Sequence, residues 1–203
     1  TYPEACRVPD TTINKKGNVP AASIAVHSTT PARILVIGAS GKIGRLLVPK
    51  LIAENHSVIA GIRDQIKAAL APLQGIDIVI FTAGSGSKTG KDQTLTVDLW
   101  GAIQCIRASE DSELQHFVIL SALKATNPNR ANDALKPDLI AKHAADKNQV
   151  EPLNQGPEYR TILTASEGLD YAGTISRASV AEFIQQHICK ADENVALDLV
   201  EPQ

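Results

Sequence analysis

Gly38, Gly41 and Gly44 stand three residues apart, directly after the apolar run Ile34-Leu35-Val36-Ile37. Glycines so placed bring backbone close to phosphate groups. Gly38 permits a tight turn, Gly41 lets main-chain N–H groups approach an anion, and Gly44 lets a following helix lie close on the strand. Ala39, Ser40, Lys42 and Ile43 complete the loop, and Lys42 adds a cation. Arg63 follows 19 residues after Gly44, with Asp64 next to it. An Arg at this place pairs with a 2′-phosphate, whereas an acid binds ribose hydroxyls. Ala83-Gly84-Ser85-Gly86 offers a second turn of small residues.

These residues need a strand, a helix and a second strand to hold them. Ile34–Ile37 is apolar throughout, as a strand buried on both faces requires. Ile43, Leu46, Leu47, Leu51 and Ile52 recur at helical spacing and should cover the sheet. Pro49 falls inside this helix and removes one N–H. Asn55 suits a left-handed helix stop. Val58–Ile62 forms the second strand and ends at Arg63-Asp64. Strand, glycine turn, helix and strand make the opening unit of a dinucleotide site, with the phosphates at the helix N-terminus. Arg63 and Lys42 favour NADP(H) over NAD(H). Asp64 would reverse that preference if the strand runs one residue further.

The remaining chain alternates in the same way. Ile66–Leu70 reads as a short helical piece, Ile76–Thr82 as a strand and Ser87–Thr94 as a polar loop. Leu95, Leu99, Ala102, Ile103 and Ile106 form the apolar stripe of a long helix, on which Asp98 reads as an exposed residue. His116–Ser121 is a strand, 124–137 a long loop, and Asp138–Val150 a helix offering Leu139, Ile140, Ala141, Ala144 and Ala145 for burial. Tyr159–Leu163 and Val195–Val200 read as strands. Ser179-Val180-Ala181-Glu182 fits a capping box ahead of a helix with Val180, Phe183, Ile184 and Ile188 on one face. This order predicts an α/β, Rossmann-like, doubly wound and mainly parallel sheet with helices on both faces. Only 12 residues separate Asp64 from Asp77, too few for the third strand of a full unit with its flanking helices.

Residues 1–32 carry four prolines and a polar run, and read as an irregular extension before one domain over 33–203, with Ala21–Val26 as a weak edge strand. Net charge is −2 and no Lys/Arg stripe forms, so nucleic acid is not an expected partner. No apolar run approaches ~20 residues, so no membrane span is expected. Cys6, Cys105 and Cys189 lack any CxxC or Cys/His ligand spacing. Reduced thiols, no metal and a cytoplasmic location are the expectation.

The chain resembles the atypical short-chain dehydrogenase/reductases, and within them the NmrA-like and flavin- or biliverdin-reductase-like NAD(P)H-binding proteins. The segments that carry the resemblance are Gly-Ala-Ser-Gly-Lys-Ile-Gly, Ile-Arg-Asp, Ile-Phe-Thr-Ala-Gly-Ser-Gly, Val-Asp-Leu-Trp-Gly-Ala, Phe-Val-Ile-Leu-Ser-Ala, Ile-Ala-Lys-His-Ala-Ala-Asp and Ile-Ser-Arg-Ala-Ser-Val-Ala-Glu-Phe-Ile, in this order. It implies that Ser121 stands beside the nicotinamide and that Lys142 matches the lysine of a Tyr-x-x-x-Lys pair. That lysine binds ribose and lowers the tyrosine pKa. Asp138 stands where the tyrosine would be, and neither Tyr159 nor Tyr171 has the spacing. His143 reads as structural or exposed. An Arg-Pro-Gly stretch that often shapes the substrate pocket is replaced by Leu163-Thr164-Ala165-Ser166-Glu167-Gly168.

The resemblance implies an NAD(P)H-dependent reductase with Ser121 and Lys142 as catalytic residues. Gly38 to Gly44, Arg63, Ala83, Gly84, Ser121 and Lys142 would bind the cofactor. A small carbonyl, quinone or flavin is the expected acceptor, because reduction of a flavin takes its proton from solvent. The missing tyrosine and pocket motif equally suit a non-catalytic NAD(P) sensor or an assembly protein. The helix around 93–108 could pair two copies into a homodimer.

Overall fold

A computed structural model describes residues 31–61, 73–85, 90–110, 112–122, 125, 128–130, 136–150, 158–163, 176–188 and 196–198. The expectations for 1–30, Ile62, Arg63, Asp64 and Ile66–Leu70 fall outside them.

Among the described residues, six parallel strands form one sheet: β1 (Arg33–Ile37), β2 (Ser57–Gly61), β3 (Ile78–Phe81), β4 (His116–Leu120), β5 (Glu158–Leu163) and β6 (Ala196–Asp198). Their order is β2-β1-β3-β4-β5-β6. The chain goes from β1 outward to β2 and then returns to the other side of β1. The strand order therefore reverses between β1 and β3, and in such sheets ligands bind outside the carboxyl ends at this point.

Helix α1 spans Gly44–Ala53. Helix α2 runs as α over Lys91–Gln93, as a wide π-type turn over Thr94–Gly101, and as α again over Ala102–Glu110. Helix α3 spans Lys136–Val150 and α4 spans Arg177–His187. Ile34, Val36, Ile78, Ile80 and Val118 meet Leu47 and Leu51 of α1 and Val180, Ala181 and Ile184 of α4. Leu35, Ile37, Val79, Phe81, Phe117 and Ile119 meet Ala102, Cys105 and Ile106 of α2 and Ala145 of α3. Alternate strand residues thus feed two cores, one on each face of the sheet, as the doubly wound expectation requires. Burial pushes the Cys105 thiol up to about 12, so it behaves as a small apolar filler.

Several helix details match their sequence signals. Asn55 has φ +64°, His56 N–H donates to Leu51 O at 3.2 Å, and Asn55 N–H to Ile52 O at 3.0 Å. This is the paired C-terminal closure that a left-handed residue permits. Pro49 is accommodated within α1.

Other details differ. Leu46 and Ile52 are exposed, as is Ile140 on α3, because each lies to the side of the sheet-facing stripe of its helix. The cap of α4 is Ser176, whose Oγ accepts from Ser179 N–H at 3.0 Å, three residues earlier than the expected box. The stripe of α2 starts on Thr94 and Asp98, which are buried, while Leu95 is exposed. The buried residues Thr94, Asp98, Ala102, Cys105, Ile106 and Ser109 follow ordinary helical spacing. The inward row opens on two polar residues, so an apolar stripe beginning at Leu95 misses its start. Among the described residues no helix is long and apolar enough to cross a membrane.

Candidate cofactor and catalytic site

The glycine loop joins β1 to α1 at the switch point. Gly38 has φ +87° and its N–H donates to Gly61 O at 3.0 Å. A Cβ there would lie 2.7 Å from Ala83 N and 2.8 Å from Ala83 Cα, so a side chain would collide with the β3 exit. A Cβ at Gly44 would strike Gly38 O and come within 2.6 Å of Ala39 Cα. Gly41 differs. Among the described residues only Gly38 O, at 3.0 Å, lies near its added Cβ, and Ser40, Gly41 and Lys42 are exposed. The inner side of the loop is closed by backbone and the outer side is open. Among the described residues no side chain caps the N-terminus of α1. Gly41, Arg45 and Leu46 N–H already donate to Gly38 O, Gly41 O and Ile43 O, so an anion would meet the exposed Ser40–Lys42 segment and the positive end of the helix dipole. This loop fits a pyrophosphate.

The small-residue turn after β3 continues the shelf. Ala83 abuts Gly38, and a Cβ on Gly84 would sit 3.1 Å from Asp98 Oδ1. Ser85 N–H donates to Asp98 Oδ2 at 2.9 Å. Asp98 Oδ1 lies 3.3 Å from Lys142 Nζ, with the carboxylate side chain 1% and the lysine side chain 15% exposed. Asp98 is therefore a buried anchor, which corrects its reading as an exposed helix residue.

Lys142 sits on α3 between two further acids at helical spacing, Asp138 and Asp146. Burial raises the Asp138 carboxyl above its ordinary value, Lys142 opposes that, and Asp98 adds to it. Burial also raises Asp146, opposed by a Ser121 hydrogen bond, Lys142 and His143 in that order. Ser121, buried at the end of β4, donates from Oγ to Asp146 Oδ2 at 2.6 Å. Asp146 Oδ1 is buried with no hydrogen-bond partner among the described residues. The structure thus brings Ser121 and Lys142 to one acid cluster, linked through Asp98 and Gly84 to the glycine loop.

A family model described as NAD(P)H-binding matches residues 66–151. The uncharacterized sugar epimerase YhfK of Bacillus subtilis is 37% identical over 204 residues, covering 83% of this chain and 94% of that protein. The chain belongs to the NAD(P)H-binding, epimerase- and reductase-like atypical short-chain dehydrogenase/reductases. Within this family, the yeast protein YMR090W of Saccharomyces cerevisiae is 33% identical over 161 residues, covering 66% of this chain and 69% of that protein. A solved structure of a candidate NAD-dependent epimerase/dehydratase from Bacillus halodurans superposes with a TM-score of 0.63 at 26% identity, covering 77% of this chain and 87% of that one. A nicotinamide dinucleotide is the cofactor of such a reductase-like chain, and the glycine loop described above fits it.

Arg63 lies outside the described residues. Sequence reasoning missed Asp98 and Asp146. Asp98 is the lone charge in Leu95-Thr96-Val97-Asp98-Leu99-Trp100, and Asp146 stands four residues after Lys142, on the helical face of the cluster. Both signals were available.

Proposed function

We propose that the chain is an NADP(H)-preferring reductase that passes hydride to a small carbonyl, quinone or flavin. The observation that carries this reading is the unbroken run of contacts from Gly38 through Ala83, Gly84 and Asp98 to Lys142. It spans one edge of the sheet, as an extended dinucleotide would.

In this reading the Gly38–Gly44 backbone and Lys42 hold the pyrophosphate, Arg63 pairs with the 2′-phosphate, and Ala83 and Gly84 line the adenosine-ribose side. Lys142, fixed by Asp98, donates to ribose hydroxyls. Ser121 polarises the acceptor oxygen. The bound nicotinamide supplies the hydride. Asp138 stands one helical turn before Lys142, and burial raises its carboxyl above the ordinary value. In this reading the proton of the reduced product comes from solvent, so no tyrosine is needed.

The name of the Bacillus subtilis relative favours a second reading, a sugar epimerase. An epimerase returns its cofactor unchanged, so it gives no net oxidation of NADPH. One experiment tests both. NADPH and NADH are titrated by fluorescence, and NADPH consumption is followed with carbonyl, quinone and flavin acceptors. Steady consumption with one acceptor class is the expected result. Tight binding without consumption rejects the reductase reading.

A further inference from the structure

We propose that Asp146 is the positioning residue for Ser121: its protonation state decides whether the serine hydroxyl points into the acid cluster or toward the acceptor. The proposal rests on the reductase reading, in which Ser121 faces the acceptor.

A serine hydroxyl carries one proton and two lone pairs, and an ionised carboxylate can only accept. While Asp146 is charged, the single Ser121 proton is committed to Oδ2 at 2.6 Å. Ser121 then shows a ligand only lone pairs, which cannot polarise a carbonyl. A protonated Asp146 donates instead to Ser121 Oγ. The same short contact survives with its direction reversed, and the serine proton turns outward. Ser121 keeps its proton throughout.

The surroundings favour the neutral form. Asp146 Oδ1 is buried and has no hydrogen-bond partner among the described residues, a heavy cost for an ionised group. Among the described residues, Ser121 reaches Asp146 from the end of β4, and Lys142 and His143 act from its own helix. Asp98, from α2, holds the Lys142 ammonium at 3.3 Å and so tempers the charge that would ionise Asp146. Elsewhere α2 gives the uncharged Ala102, Cys105 and Ile106 to the core around Ala145. Burial raises the Asp146 carboxyl against these weaker opposing effects.

Two measurements test this. The first follows kcat/KM with a carbonyl acceptor as pH rises. The wild-type rate should fall about tenfold per pH unit above one ionisation. Asp146→Asn, whose amide does not titrate and can donate to Ser121 Oγ at every pH, should remove that limb and give a flat profile. Asp146→Leu should lower kcat about 10–100-fold below the Asn variant at every pH. The second uses carbon-13 NMR of the Asp146 carboxyl in the cofactor-free protein. Ser121→Ala should raise its midpoint, because the charge-assisted bond to the ionised form is the stronger one. A limb that persists in Asp146→Asn, or an Asp146 midpoint indifferent to Ser121→Ala, overturns the proposal. An Asn variant that binds NADPH but is inactive overturns it as well, since Asp146 would then be needed as an acid. If the midpoint moves but wild type consumes no NADPH with any acceptor, the reductase reading fails and takes the catalytic use of the pair with it.

Discussion

Lys142 Nζ lies 3.3 Å from Asp98 Oδ1, while the other oxygen of that carboxylate takes the Ser85 N–H at 2.9 Å. One buried acid thus ties α2, α3 and the β3 exit together. Replacing Asp98 with Ala strands a largely buried ammonium and a buried N–H. Loss of about 3–5 kcal/mol is expected in urea unfolding. The double variant Asp98→Asn with Lys142→Met should lose less than the sum of its singles, because neither charge is then left alone.

Two loop glycines should separate by phenotype. Gly44→Ala puts a methyl against Gly38 O and Ala39 Cα. It is expected to cost about 1–3 kcal/mol of stability, read by thermal unfolding. Gly41→Ala meets only Gly38 O among the described residues. Its stability should move by less than about 1 kcal/mol, while NADPH affinity falls as the methyl enters the phosphate shelf.

Arg63→Ala addresses cofactor choice. If Arg63 pairs with the 2′-phosphate, NADPH affinity should drop about 10–100-fold, as expected for a lost charge-assisted bond. NADH affinity should change less than about threefold. Fluorescence titration of both cofactors measures this, and equal weakening rejects the assigned role.

Asp138 and Asp146 both hold protons more firmly in the folded chain than at the ordinary carboxylate value of 3.8. For such groups the native state binds more protons than the unfolded state between the two pKa values. Stability is therefore expected to fall as pH rises from about that value through the raised ones. Asp138→Asn and Asp146→Asn should each flatten this slope in urea unfolding measured across pH.

Much of the fold was legible because its signals are local. The apolar runs at Ile34–Ile37 and Phe117–Leu120 marked buried strands, three glycines marked the turn, and Asn55 marked a helix end. The Ser121 and Lys142 positions were reached through family resemblance, and the structure brings both to one cluster. Asp98 was missed because its inward row, Thr94, Asp98, Ala102, Cys105 and Ser109, has helical spacing but is half polar, and the adjacent apolar residues drew the stripe to Leu95. Asp146 was missed because its role depends on Ser121, 25 residues away in sequence and on another element.

The wide turn in α2 also sets how the site can be lost. A wide turn of this kind holds one residue more than an α turn. Deleting one residue within 94–101 would let the segment relax to ordinary i→i+4 winding. The flanking α segments would stay roughly in phase, while residues inside the turn would shift, Asp98 among them. That shift would pull its carboxylate from Ser85 N–H and Lys142 Nζ. Spacing across residues 94–101 is therefore as much a requirement of this ion pair as the two charges themselves.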